Sequence, residues 1–411
     1  MSDDQEIEYK FKLPEGFLLG VSAAAHQVEG NNKNNDWWQA ETQGKVPASG
    51  LACDHYNRFE EDFSIAKQIG CNAFRISIEW SRIEPEEGKW AVKELEHYHR
   101  VLLKMKELGL QRFVTLFHFT LPKWLAAKGG FEHPDASQAF ARFAWFVAKN
   151  LGQEIDWWMT INEPEVYVSS GYVLGKWPPF KKSKYFTWIK VYNNLIDAHR
   201  LAYRAIKLVL PQARVGLAKN NVYYEPGRQK NILDKMAAKV ADYFGNYYLL
   251  DKISSSLDFI GLNYYFYERL SVDWKKFRLE RLNQNFDYKH LGIIDNIQRS
   301  DMGWRTYPKG IYYLLKELKK YKKPVIITEN GIANARDDMR KDFIKQHLYW
   351  TTKAIDEGVD VRGYLYWSLT DNYEWSDGYG PRFGLVEINY DTQRRVIRES
   401  ANVFQEVINS S

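Results

Sequence analysis

Cysteine is almost absent: Cys53 and Cys71 are the only two in 411 residues. Two thiols build no disulfide framework, and their spacing matches no zinc ligand pair, so a thiol-reducing compartment is expected. Residues 1–12 are acidic and polar where a secretion signal would be basic and then apolar, and the chain reads as cytoplasmic. No apolar run approaches the roughly 20 residues of a membrane span. The 57 basic and 52 acidic residues nearly cancel, at +5, and are interspersed, so neither nucleic acid nor a membrane is expected as a partner. Pro/Gly/Ser-rich linkers, low-complexity segments and repeats are also missing. Nothing in the composition therefore divides the chain, and residues 1–411 are expected to form one domain behind a short polar tail, 1–12.

What the sequence does have is apolar and aromatic side chain. Hydrophobic residues make up 45%, enough for a sizeable core, and 15 Trp, 27 Tyr and 22 Phe exceed what that core requires. Some of these rings are expected to face a ligand.

Eight short, β-rich apolar runs recur along the chain, at 17–21, 73–78, 112–117, 157–161, 214–218, 258–262, 325–328 and 363–367. Helical spacing fills the intervals at 58–69, 94–108, 136–150, 187–210, 232–250, 311–320 and 338–357, with Gly70, Gly109 and Gly358 placed as C-terminal caps. Buried parallel strands need long crossovers and a cover on their outer face. The pattern predicts an α/β fold, a single-domain (β/α)8 TIM barrel with its active site at the C-terminal ends of the strands. An open doubly wound sheet is the alternative. It would carry a Gly-rich phosphate turn after its first strand, which Gly20-Val21-Ser22-Ala23 is not.

In such a barrel the residues just past each run ring one pocket. They are His26, Gln27 and Glu29; Arg75 and Glu79; His118; Asn162 and Glu163; Asn220; Asn263 and Tyr265; Glu329 and Asn330; then Trp367, Asp371, Glu374 and Trp375. This ring has no nucleophile elbow, no phosphate-cradling loop and no metal-spaced His cluster, so acyl transfer, phosphoryl transfer and zinc hydrolysis lose ground. Amides and carboxylates bind sugar hydroxyls, and an indole face covers the C–H face of a pyranose. Two carboxylates, Glu163 in Asn162-Glu163-Pro164 and Glu329 in Glu329-Asn330-Gly331, each stand between an apolar run and a turn. That setting suits glycoside cleavage, in which one acid protonates the departing oxygen and the other attacks or activates water.

The chain from about 17 to 400 closely resembles family 1 glycoside hydrolases, the retaining β-glucosidase and β-galactosidase family. The motifs are Phe17-Leu18-Leu19-Gly20 with Gln27-Val28-Glu29-Gly30, Phe74-Arg75-Ile76-Ser77-Ile78-Glu79-Trp80, Thr115-Leu116-Phe117-His118-Phe119 and Thr160-Ile161-Asn162-Glu163-Pro164. They continue through Gly261-Leu262-Asn263-Tyr264-Tyr265, Met302-Gly303-Trp304, Ile327-Thr328-Glu329-Asn330-Gly331 and Tyr366-Trp367-Ser368-Leu369-Thr370-Asp371-Asn372-Tyr373-Glu374-Trp375.

The resemblance implies Glu329 as nucleophile and Glu163 as acid and then base, with Arg75, Asn162 and Tyr265 in support. It implies Gln27, His118, Asn162, Glu374 and Trp375 on the sugar hydroxyls and Trp367 beneath the ring. Arg75 and Tyr265 would favour the ionised form of Glu329, while Glu163 beside that anion would keep its proton. Relatives that take 6-phosphoglycosides lack an acid at the position of Glu374, and thioglucoside-cleaving relatives hold Gln at that of Glu163. An unphosphorylated small-molecule β-O-glycoside is therefore the expected partner, with no metal or cofactor and with a homo-oligomer allowed.

Departures from the family pattern are Glu165, where many relatives place an aromatic, and Phe119-Thr120, in place of a frequent Trp-Asp. Asn220, Asn263, Glu165, Trp177 and Trp304 are assigned to the entrance or its support, and 264–298 to a loop shaping that entrance. Blander readings stand beside these: His118 as a core imidazole, the four Trp as packing, Arg75 paired with Glu79, and the whole as a sugar-binding barrel without catalysis.

Overall fold

The computed structural model describes residues 9–273, 278–282 and 299–409. Eight parallel strands close a barrel: β1 Leu18–Ser22, β2 Ala73–Ser77, β3 Gln111–Phe117, β4 Trp157–Asn162, β5 Arg214–Asn220, β6 Ile260–Asn263, β7 Val325–Asn330 and β8 Val361–Trp367. Each pairs with its neighbours in the chain, and β1 closes on β8. A helix follows every strand: α1 His55–Gln68, α2 Val92–Glu107, α3 Ala136–Leu151, α4 Tyr185–Val209, α5 Ile232–Asp242, α6 Pro308–Leu318, α7 Arg340–Asp356 and α8 Asn402–Asn409. The barrel predicted from the eight apolar runs is the one observed, and the doubly wound alternative falls.

The strands read as continuous apolar runs because both faces are covered. One face packs on the helices, and the other fills the barrel with Ala73, Phe113, Trp157, Met159, Ala218, Phe259, Ile326 and Leu365. The rings of Phe113 and Trp157 stack there at 5.3 Å. Helix ends follow the glycines: Gly70, Gly109 and Gly358 have φ of +99°, +69° and +80°, the left-handed turn that stops a helix cheaply only without a Cβ.

One helix departs from expectation. The 232–250 stretch is α5, then a wide turn over Tyr243–Tyr247, then a short helix Tyr248–Ile253. The Gly245 carbonyl accepts from Lys219 Nζ at 2.5 Å. Three strands, Tyr223–Pro226, Tyr267–Asp273 and Arg278–Arg281, form a small sheet beyond the C-terminal ends of β5 and β6. Part of the 264–298 loop belongs to it. Within that loop 274–277 and 283–298 lie outside the described residues, as do 1–8 of the tail. Among the described residues no helix is long and apolar enough to cross a membrane.

Candidate active site

Inward side chains change character along the barrel axis. Two residues above the apolar floor, β2 presents Arg75 over Ala73, β3 Thr115 over Phe113, β6 Asn263 above Gly261, and β7 Thr328 over Ile326. All four are fully buried, so their polar atoms must bond to one another. On β4 and β7 strict alternation fails. The pairing register of β4 with β5 slips between Met159 and Asn162, and that of β7 with β6 between Ile327 and Glu329. Such irregularities re-aim side chains. They allow Asn162 to join the polar layer and Glu329 to share the interior with Thr328.

Glu329 is buried and held from both sides. Arg75 Nη1 donates to its Oε1, and the Tyr265 hydroxyl donates to its Oε2 at 2.6 Å. Arg75 also donates to Thr115 Oγ1 at 2.9 Å and to Asn162 Oδ1 at 2.7 Å. The alternative pairing of Arg75 with Glu79 is therefore wrong: Glu79 faces away and accepts from Ser81 and Thr120. One oxygen of Glu329 therefore meets a cation and the other a hydroxyl donor, both charge-assisted hydrogen bonds.

Glu163 lives in a different setting. It has φ +42°, which costs a non-glycine residue roughly 1–3 kcal/mol, and Pro164 follows at once as the first residue of a short helix. Its N–H bonds across to Ala218 O at 2.8 Å, and Asn263 Nδ2 donates to its Oε1 at 2.8 Å. Burial, then the charge on Glu329, raises its proton affinity well above that of an ordinary carboxylate, against a smaller opposing effect from Asn263. The two carboxylates thus stand in different settings, one paired with a cation and its neighbour buried against an amide with its proton affinity raised.

Both line a cavity of about 470 Å³ together with Gln27, His118, Asn162, Asn220, Tyr265, Trp177, Trp304, Trp367, Glu374 and Trp375. The His118 ring lies parallel to both Trp367 and Trp375, 6.0 and 6.1 Å away. Burial and the Arg75 charge push its pKa well down, so it is neutral. Its Nε2 meets Asn162 Nδ2 at 3.2 Å, and its buried Nδ1 has no partner among the described residues, unlike a satisfied core imidazole. Gln27 Nε2 donates to Asn372 Oδ1, Tyr373 O and Glu374 Oε2, while its buried Oε1 has no partner among the described residues. Glu374 is raised to about 8 by burial, then by the charges of Asp377 and Glu329. Idle polar atoms between flat rings can bind the hydroxyls and C–H face of a sugar.

Not every expected residue reaches the cavity. Glu165 turns away from it and accepts from Lys219 Nζ at 2.7 Å and from the Asn220 N–H at 2.9 Å, supporting the base of the Asn220 turn. Asn263 supports from beneath, bonded to Asn162, Glu163 and Thr328. Of the wider ring, His26, Glu29, Glu79, Asn330 and Asp371 are taken by Glu41, Arg82, Thr120, Tyr264 with Tyr364, and Arg398. Trp177 and Trp304 flank the opening, Trp177 against Phe119 and Trp375, and Trp304 against Tyr265 and Phe266. The sequence reading missed Thr115 beneath Arg75 and the lining residues Phe119, Lys176, Phe266, Met302, Asp377 and Phe383. Thr115 carried a signal, two places past Phe113 on an inward face, as did Phe119 and Met302 in the quoted motifs and Phe266 in the run assigned to the entrance. Among the described residues no group of His, Cys, Asp and Glu is disposed to hold a metal ion.

Known proteins share this architecture. The sequence profile of glycosyl hydrolase family 1 matches residues 9–254 and 249–411. β-Glucosidase A of Thermotoga maritima is 32% identical over 450 aligned positions, covering 97% of this chain and 98% of that protein. Its structure in complex with glucoimidazole superposes with a TM-score of 0.89 at 32% identity, over 97% of this chain and 99% of that one. A β-glycosidase from Pyrococcus horikoshii superposes with a TM-score of 0.88 at 40% identity, over 97% and 95% of the two chains. A match that spans both halves of the barrel and every strand end bearing the polar cavity leaves one conclusion: this chain belongs to glycosyl hydrolase family 1 and is a glycosidase.

Proposed function

We propose that the chain is a retaining β-glycosidase. It removes terminal, unphosphorylated β-D-glucosyl residues, and β-D-galactosyl or β-D-fucosyl residues, from short oligosaccharides and from aryl or alkyl glycosides. The observation that carries this reading is the opposite environment of two carboxylates on one cavity: Glu329 clamped by Arg75 and Tyr265, Glu163 buried with an amide and raised in proton affinity.

In the first step Glu329 attacks the anomeric carbon as Glu163 gives its proton to the departing glycosidic oxygen, leaving a glycosyl ester on Glu329. Esterification removes the negative charge of Glu329. That charge is one of the two main causes holding the proton on Glu163, so the acid is then better suited to stay ionised and to take a proton from water. Water attacks the same carbon, the ester bond breaks, and the sugar leaves with its original configuration. Gln27 Oε1, His118 Nδ1 and Glu374 supply hydrogen bonds to the sugar hydroxyls, over Trp367. A 6-phosphate would add negative charge beside Glu374, which already sits between the charges of Asp377 and Glu329.

The test is a panel of aryl β-glucosides, β-galactosides, β-fucosides and their 6-phosphates, with the first-formed anomer followed by proton NMR. Cleavage of the unphosphorylated members with β-sugar appearing first is expected. α-Sugar appearing first, or preference for the 6-phosphates, overturns the reading, and tight glucose binding without cleavage would restore the sugar-binding alternative. Product analysis at high substrate separates transfer from hydrolysis.

A further inference from the structure

Away from the cavity, one face of the molecule exposes apolar side chains in an ordered array. On α5 and the turn that continues it, Ile232, Leu233, Met236, Val240, Tyr243 and Phe244 are all exposed, Ile232 by 71%. At 100° per residue these positions fall within one third of the helix circumference, while Asp234 and Ala238 on the other side are buried. The first turns of α4 add Tyr185, Phe186 and Ile189, with Phe186 exposed by 92%. The two groups are joined beneath the surface by a chain of rings: Trp188 stacks on the buried Tyr192 at 5.2 Å, Tyr192 on Tyr248 at 6.2 Å, and Tyr248 meets Phe244 at 5.8 Å. Single exposed apolar residues are ordinary, but two such clusters on neighbouring helices mark a contact surface.

Charge decides what the surface contacts. Residues 166–196 contain Lys176, Lys181, Lys182, Lys184 and Lys190 and not one Asp or Glu. Lys182, Lys184 and Lys190 are exposed around Phe186, and Lys235 and Lys239 flank the apolar stripe of α5. Beside that stripe, Ile232, Met236, Lys235 and Lys239, with the single carboxylate of Asp242, help to line a surface groove of about 380 Å³. A second copy docking through this face by two-fold symmetry would set lysines against lysines. Apolar side chains ringed by lysines instead match a bilayer surface, with acyl chains below and anionic headgroups above.

We infer that this face binds the surface of an anionic lipid membrane, Phe186 and the α5 stripe entering the headgroup region and the lysines meeting lipid phosphates. The expectation of no membrane partner rested on charge balance over the whole chain and on the lack of a spanning segment. Surface binding needs only a local excess of charge and no span. The face also adjoins the cavity rim: Leu174 and Lys176 line the cavity, and Leu174 bridges to Lys182.

The experiment is cosedimentation of the full chain with phosphatidylcholine vesicles, with and without phosphatidylglycerol, at low and high salt. Binding is expected only with phosphatidylglycerol and weaker at high salt. Phe186→Ser with Met236→Ser, and separately Lys182→Gln with Lys184→Gln, should each weaken partition at least about tenfold. Turnover of a soluble aryl β-glucoside should stay unchanged in both, which shows that the variants fold. Wild-type protein that stays in the supernatant, or binds both vesicles equally, overturns the inference. So does a dimer in sedimentation velocity that Phe186→Ser with Met236→Ser dissolves, because the occupant would then be a second copy.

Discussion

Arg75→Met tests the electrostatic frame of the site directly. The guanidinium is fully buried and donates to Glu329, Asn162 Oδ1 and Thr115 Oγ1. Removing it strands a buried carboxylate without its cation, and breaking such a pair costs about 3–5 kcal/mol. For a chain of 411 residues, with an unfolding entropy of about 2 cal/mol/K per residue, the thermal midpoint should fall by about 3–6 °C. The same variant should lose most of its kcat/KM on an aryl β-glucoside, because Glu329 and Asn162 lose their common anchor. Glu329→Gln alone leaves the converse defect, an unpaired buried cation. In the double variant Arg75→Met/Glu329→Gln neither charge remains, so its cost should be well below the sum of the two single costs. Calorimetry of the four proteins decides. Additive midpoint shifts, or an Arg75→Met protein as stable and active as the parent, would refute the claim that these groups form one buried unit.

Other consequences can be checked separately. Glu329→Ala should lower turnover at least about 10⁴-fold, and added azide should partly restore it with an α-glycosyl azide as product; a β-product would rule out attack from the Glu329 side. In the proposed mechanism Glu163 works protonated in the first step, and its proton affinity is raised, so kcat/KM should fall as pH climbs through that raised value. Glu163→Gln should slow alkyl glycosides about 10²–10⁴-fold and flatten this basic limb for aryl leaving groups that need no proton. Glu374, raised to about 8 from an ordinary 4.5, favours the fold fully below about pH 4.5 and progressively less as pH rises towards 8. The thermal midpoint of Glu374→Gln relative to the parent should therefore increase between pH 5 and pH 9, and a flat difference would contradict the shift.

The barrel was legible because each strand is buried on both faces and so appears as an unbroken apolar run between turn residues. The site was legible because its groups stand at the ends of those runs. What the sequence concealed arises where local rules break. Strict alternation allows either Thr328 or Glu329 to point inward, and the register slip on β7 is what admits both. Glu165 is two residues from Glu163, yet the sharp turn at Glu163 directs it to Lys219, a buried lysine on β5 whose role no pattern announces. His26, Glu79 and Asp371 follow strands as the cavity residues do, but each is claimed by a partner distant in sequence. Strand ends nominate candidates, and tertiary pairing selects among them.

Arginine has no acceptor atom, and that fact orders the hydrogens of the whole centre. Because Arg75 can only donate, the Asn162 atom facing it must be oxygen, so the amide nitrogen of Asn162 faces His118. The neutral imidazole must then receive at Nε2 and carry its hydrogen on Nδ1, the nitrogen that the proposed function assigns to a sugar hydroxyl. The same oxygen obliges Asn263 to offer its N–H₂, which also reaches Glu163 Oε1, while Thr328 secures the other end of that amide. With Oε1 already receiving a hydrogen, Oε2 is the better seat for the proton that the proposed mechanism places on Glu163. A single irreversible donor, two strands away, thereby dictates a tautomer and favours one carboxyl oxygen over the other.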